Sequence, residues 1–195
     1  MDLSGFLQSL AASALATRIR ESLLLFPMLE SFHVVGLGLV FGTILIIDLR
    51  LLGWASTQRP FERLASDILK WTWAAFALTA LTGSLMFLTN APVYFHNSYF
   101  RIKMLLLLLA GVNMFVFERT ARRTIHTWDK SPSAPPAGRR VAALSLVMWI
   151  AIIVMGRLIG FTTSRASVAA PPPASVNFDD FLTGPPDKGA PPAPK

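Results

Sequence analysis

The chain lacks cysteine and has few charged residues. None of its 195 residues is a cysteine, which excludes disulfide bonds, thiolate metal sites and cysteine nucleophiles. Only 15% of the residues are charged and 53% are hydrophobic, whereas soluble domains carry about 25% charged residues. The composition therefore argues against a soluble globular domain and predicts a polytopic membrane protein.

Recognisable catalytic patterns are also missing. Histidine occurs only three times, and the sequence contains no nucleotide-binding loop, catalytic triad pattern or paired-carboxylate site. We therefore do not expect an autonomous enzyme.

The net charge is +7, but most of the cations lie in loops between apolar runs. That placement indicates control of membrane topology rather than nucleic-acid binding.

Four apolar runs are long enough to cross a membrane, which takes roughly 20 helical residues. They lie near residues 29–55, 68–90, 99–119 and 141–162. We predict an all-α fold, a polytopic membrane four-helix bundle over residues 26–165. An N-terminal interfacial helix precedes this bundle, and an extended Pro-rich C-terminal tail follows it.

The loops between these runs differ in charge. Lysine and arginine are concentrated in residues 54–70 and 118–140, whereas the short loop at residues 90–98 has neither. Because basic loops stay on the cytoplasmic side of a membrane, we expect both termini on the outer side.

The two flanking segments have distinct patterns. In residues 1–25 an imperfect apolar face forms within about 100° of a helical wheel, which indicates an interfacial helix or an extension of the first span. This face consists of Leu3, Phe6, Leu7, Leu10, Ala14 and Leu24. Residues 166–195 are rich in proline, which predicts an extended or disordered tail. Within it, residues 174–184 combine apolar and acidic side chains and form a candidate docking segment for a periplasmic or membrane partner.

Polar residues within the first span fall on one side of its helix. Glu30 and Asp48 both lie within about 60° of His33, and ionisable residues inside a span should face the bundle interior. Gly38 and Gly42 lie on the opposite side. We expect that glycine stripe to face outward and to pack against another helix.

His33 is the main candidate for holding a cofactor. Gly36, one turn away, could leave a groove for a flat molecule, and histidine is a usual axial ligand of haem in helix bundles. The candidate cofactor-binding residues are Glu30, His33, Gly36, His96, Lys103 and Arg157, with His33 and His96 as ligands of haem iron if haem b is bound. Met28 or Met86 could replace His96. The cations could neutralise haem propionates or bind the head group of a quinone.

A structural interpretation competes with the cofactor at each polar position. Glu30 and Arg157 could form an ion pair at similar depth. Asp48 and Arg50 could mark the inner membrane boundary, by snorkelling or by tying the first span to the basic loops. Asn113 is expected to form an interhelical hydrogen bond.

Three stretches together resemble a known family: "FPMLESFHVVGLGLVFGTILIIDLRLLG", "LTGSLMFLTNAPVYFHNSYFRIKMLLLLLAGVN" and "WIAIIVMGRLIGF". They are similar to a bacterial family of small four-helix inner-membrane proteins that is distantly CopD-like. The resemblance covers residues 24–162. It implies an accessory membrane subunit near periplasmic redox or metal-handling systems, with candidate functional positions at Glu30, His33, Asp48, Arg50, Lys103 and Arg157.

Three functions follow as alternatives. The first is an inner-membrane subunit of a hetero-oligomeric complex that anchors a periplasmic partner and carries electrons through haem b or quinone near the outer leaflet. The second is a structural scaffold subunit without a cofactor. The third is the handling of copper or another metal, which would depend on His33, Glu30 and nearby methionines.

Overall fold

The fold is entirely helical in the part of the chain that the structure describes. The computed structural model describes residues 2–169, with side chains for residues 2–163. The chain divides into two units, residues 1–161 and 162–195, and the helix bundle belongs to the first. The predicted all-α fold is confirmed. The proposed docking segment at residues 174–184 lies outside the described residues.

The helices follow one another with short connections. In chain order they are α1 (Leu3–Ala11), α2 (Ala14–Glu21), α3 (Leu25–Leu52), α4 (Phe61–Thr89), α5 (Ala91–His96), α6 (Ser98–Arg119), a 3₁₀ turn (Arg122–Thr124), α7 (Ile125–Trp128) and α8 (Pro136–Ala169). Within the described residues, four segments are long and apolar enough to cross a membrane: Leu25–Leu52, Phe61–Thr89, Ser98–Trp128 and Pro136–Thr163. They correspond to the four apolar runs found in the sequence. Their length and hydropathy indicate a membrane protein.

Two helix ends differ from the predicted boundaries. α3 ends before Gly53, whose φ of +81° is the left-handed conformation that favours glycine. α4 begins at Phe61 instead of near residue 68, because the Asp129 carboxylate accepts a hydrogen bond of 2.8 Å from the Glu62 N–H. That carboxylate satisfies a first-turn donor of the helix, so α4 begins directly after Pro60.

The N-terminal segment forms two helices rather than the single amphipathic helix that was predicted. The Ser13 side chain accepts a hydrogen bond from the Ala16 N–H and so caps the start of α2. Both helices pack against the end of α4, and the Arg20 guanidinium donates a hydrogen bond of 2.8 Å to the Thr89 carbonyl. Of the predicted apolar face, Leu7 is buried, whereas Leu3 and the other large side chains stay more accessible.

One end of the bundle carries a compact aromatic core. The Phe61 ring lies 5.8 Å from Phe117 and 5.2 Å from Trp128, measured between ring centroids. The Trp128 indole N–H donates a hydrogen bond of 3.0 Å to the Ala121 carbonyl. We call this the basic end, defined by the loops at residues 53–60 and 120–135. The opposite end, where α3 begins, is called the His33 end.

Candidate functional site

His33 is half-buried and its imidazole is held against α4. Its Nδ1 lies 3.0 Å from the Thr79 carbonyl oxygen and 3.1 Å from Thr82 Oγ1. A carbonyl oxygen can only accept, so the proton is on Nδ1 and that N–H donates. Nε2 then carries the lone pair, and it makes no hydrogen bond within residues 2–163.

Two glycines allow α3 and α4 to approach closely beside this imidazole. A Cβ atom at Gly83 would lie 2.8 Å from His33 Cε1, and one at Gly36 would lie 2.5 Å from Thr79 Oγ1. The expected groove at Gly36 is therefore wrong, because Thr79 fills that space. A helical wheel shows which residues share a face, but it does not show what packs onto that face.

Lys103 places a second polar group near His33. It lies close enough to the imidazole for an electrostatic interaction, and its Nζ would lie 3.7 Å from a Cβ atom at Gly156. Within residues 2–163, Lys103 forms no hydrogen bond or ion pair. A lysine inside a span usually has a partner, so His33 Nε2 and Lys103 Nζ are two polar atoms that could hold a ligand.

The other predicted site residues are arranged differently. Glu30 is exposed and forms no ion pair with Arg157 in the described residues, which corrects the expected structural pair. Glu30 lies near Tyr94, whose pKa is raised by burial and by that carboxylate. The Arg157 guanidinium instead stacks 5.3 Å from the Phe161 ring centroid. His96 is exposed, with Nδ1 2.8 Å from the Pro92 carbonyl.

The other two glycines of α3 face away from this cluster. A Cβ atom at Gly38 or Gly42 would meet nothing within 4 Å. The prediction that this stripe faces outward is confirmed.

Arg50 is fully buried at the basic end and ties α3 to both basic loops. Its Nε donates to the Arg59 carbonyl at 3.0 Å. Its two Nη atoms donate to three carbonyls of the second loop, those of Asp129 (3.2 Å), Ser131 (2.9 Å) and Pro132 (3.2 Å). Of the two roles considered for Arg50, tying the first span to the loops is the one observed.

Asp48 lies in a cavity instead of at an exposed membrane boundary. It is 5% exposed, the Ser145 side chain lies beside its carboxylate, and its Oδ2 is buried without a hydrogen-bond partner among the described residues. The cavity has a volume of about 440 Å³ and is bordered by α3, α4, α6 and α8. Sequence analysis placed Asp48 on the interior side of α3, but nothing in the sequence showed that Ser145 and a cavity lie beside it.

Asn113 forms the interhelical hydrogen bond that the sequence predicts. Its side-chain Nδ2 donates a hydrogen bond of 3.0 Å to the Val141 carbonyl of α8, and the residue is buried at the cavity wall. In residues 2–163 no group of three or more His, Asp or Glu side chains is placed to hold a metal ion.

Comparison with known proteins identifies a family but no individual relative. No curated protein and no solved structure matches the chain significantly. The model of a family of unknown function, DUF6644, matches residues 24–162. That range is more than half of the chain, and it is the same range over which the sequence resembled a four-helix membrane family. The chain therefore belongs to the DUF6644 family.

Proposed function

We propose that the protein is an integral inner-membrane subunit that carries electrons through a cofactor held at the His33 end. Haem b is the first candidate and a quinone is the second. In this proposal both termini are periplasmic, and residues 174–184 anchor a partner within a hetero-oligomeric complex. The observation that supports it is the fixed imidazole of His33. Among residues 2–163, its Nε2 makes no hydrogen bond, and the nearby Lys103 has no hydrogen-bond or ion-pair partner.

The state of His33 fits a metal ligand. A histidine that ligates a metal usually donates its other ring N–H to a carbonyl or carboxylate, which fixes the tautomer and the ring direction. His33 donates from Nδ1 to Thr79 in this way. A bound haem would supply one-electron chemistry. Because Thr79 covers Gly36, Gly36 would not be among the residues that border the haem.

Lys103 fits an anionic or carbonyl group on the same cofactor. Its ammonium group could pair with a haem propionate or donate to a quinone oxygen, and either contact would give the charge a partner inside the span. His96, whose Nδ1 also lies on a carbonyl, would be the second residue to hold the haem iron. Glu30 and Arg157 are proposed to border this end of the site.

The visible spectrum of the purified full-length protein, reduced minus oxidised, tests this function. Soret and alpha bands would support haem b, and quinone recovered by solvent extraction at a stoichiometric amount would support the second cofactor. If neither is found in protein purified from its native membrane, the electron-carrying function is contradicted.

A structural scaffold is the second candidate function. The open face at Gly38 and Gly42 favours it, because small residues let another helix approach closely in a membrane. Copper handling, which a distant CopD-like relationship would imply, has less support because the described residues contain no cluster of metal ligands. Elemental analysis of the same preparation distinguishes it.

A further inference from the structure

The cavity beside Asp48 carries an inference that does not depend on a cofactor at His33. At about 440 Å³, the cavity lies within the range of small-molecule pockets in proteins. Its residues on α3 extend from Val40 to Leu51, a rise of roughly 16 Å along the helix. It therefore reaches from the basic end towards the middle of the bundle.

The cavity opens sideways between α4 and α6. These two helices do not pack closely against each other. Trp73 and Phe76 of α4 and Met114 of α6 line the cavity and are also 61%, 43% and 39% exposed. Because the outer surface of a spanning helix contacts lipid, a molecule dissolved in the bilayer can enter here without passing through water.

The walls are suited to a flat ring. Aromatic side chains are contributed by three of the four bordering helices, and they are Phe61, Trp73, Phe76, Phe117 and Trp149. Aromatic rings stack on one another or meet edge to face at centroid distances of 4.5–7 Å. A plain acyl chain would use the apolar walls but would gain nothing from this concentration of rings.

Three polar side chains of the cavity wall lie on α3, α6 and α8. Among the described residues Asp48 Oδ2 is buried without a hydrogen-bond partner, and the Ser145 side chain lies beside the same carboxyl group. Asn113 uses its Nδ2 on Val141, which leaves the two lone pairs of its carbonyl oxygen. A buried polar atom without a hydrogen bond costs free energy, so a ligand that hydrogen-bonds to Asp48 Oδ2 would remove that cost.

The nearby arginines do not act as partners for the Asp48 carboxylate. All the donors of Arg50 described above point to loop carbonyls. Arg122, at the mouth of the cavity, pairs with Glu118. Glu62, also at the mouth, adds a further negative charge.

We propose that this cavity is a binding site for a lipid-soluble quinone or quinol, with the ring between the aromatic walls and a ring oxygen hydrogen-bonded to Asp48. A quinol hydroxyl donates to the carboxylate, and a quinone oxygen accepts from the carboxyl group when it is protonated. The isoprenoid or alkyl chain leaves through the opening between α4 and α6.

Binding of decylubiquinone to the full-length protein in detergent tests the proposal. Trp73 and Trp149 line the cavity, so quinone binding should quench tryptophan fluorescence in a saturable way. Gly111→Leu should weaken binding at least tenfold, because Gly111 lines the cavity and a Cβ atom there would meet no atom within 4 Å, so the larger side chain can occupy the space of the ligand. The matched control is Gly38→Leu, which adds the same side chain on the outward face of α3 and should change the affinity less than twofold.

Asp48→Leu provides a second test that does not rely on filling the cavity. Loss of one hydrogen bond to the ligand should weaken binding about tenfold. Quenching that does not saturate, or equal affinity in the wild type, Gly111→Leu and Asp48→Leu, would overturn the proposal. Decylbenzene lacks the polar oxygens of a quinone. If it displaced decylubiquinone as well as unlabelled decylubiquinone does, the cavity would be a pocket for lipid chains and the quinone proposal would be overturned. Quinone binding that is weakened in Asp48→Leu and retained in His33→Ala assigns the quinone to this cavity, whereas haem bands or quinone binding lost in His33→Ala belong to the His33 end, so the two proposals fail independently.

Discussion

Asp48 and Arg50 are two residues apart on α3, yet their side chains have different partners. The Asp48 carboxylate lies beside the Ser145 side chain of α8, while the Arg50 guanidinium binds backbone carbonyls of both basic loops. An ion pair between them would have neutralised both charges. Instead the arginine stabilises the loops, and the acid remains available inside the bundle.

Arg50→Lys should destabilise the bundle. Lysine presents three donors from one nitrogen and cannot reproduce the fork of a guanidinium, so several loop carbonyls lose their partners. We expect a loss of about 2–4 kcal/mol in the free energy of unfolding, measured by titration with sodium dodecyl sulfate in mixed micelles. Arg63→Lys, at an exposed position on α4, is the matched control and should change little. Equal stability of the two variants would contradict the role assigned to Arg50.

Gly53→Ala should also destabilise the basic end. The residue has a φ of +81°, and a Cβ atom there would lie 2.8 Å from Ser133 Cβ. Backbone strain and this contact together should cost about 1–3 kcal/mol, seen as a lower midpoint in the same titration. Gly38→Ala has open space and helical geometry and should leave the midpoint equal or higher. A midpoint for Gly53→Ala at or above the wild-type value would argue against the strained turn.

Gly36→Ala tests the close approach of α3 and α4. Its Cβ would lie 2.5 Å from Thr79 Oγ1, and overpacking of this kind costs about 1–3 kcal/mol. Gly42→Ala on the same helix meets nothing within 4 Å and should be neutral or slightly stabilising. The double variant Gly36→Ala/Thr79→Ala removes the clashing hydroxyl and should recover part of the loss. No recovery in the double variant would show that Thr79 is not the neighbour that matters.

The fold was predictable because a bilayer restricts the choice of structure. A spanning segment must satisfy its own backbone hydrogen bonds and be long and apolar, so hydropathy alone located the four runs. The start of α4 was not predictable. The residue that caps it, Asp129, is far away in sequence, and only the folded chain brings it to Glu62.

For the candidate site, the sequence predicted only the side of α3 on which each residue lies. Helical periodicity correctly placed His33 on the interior side of α3 and Gly38 on the outer side, because both assignments need only the angle between residues. The partners of each face depend on packing between helices. Periodicity therefore suggested a groove at Gly36 where Thr79 lies, and it gave no indication of the cavity beside Asp48.

The most direct test of the electron-carrying function compares the reduced-minus-oxidised spectra of wild type, His33→Ala, His96→Ala and His126→Ala prepared identically. His96→Ala removes the second proposed haem ligand, whereas His126 is exposed in the loop at residues 120–135, so His126→Ala is the matched loss of one imidazole. We predict Soret and alpha bands in the wild type, their loss in His33→Ala, shifted bands in His96→Ala and unchanged bands in His126→Ala. Bands of full intensity in His33→Ala would contradict the assignment of His33 as the haem ligand.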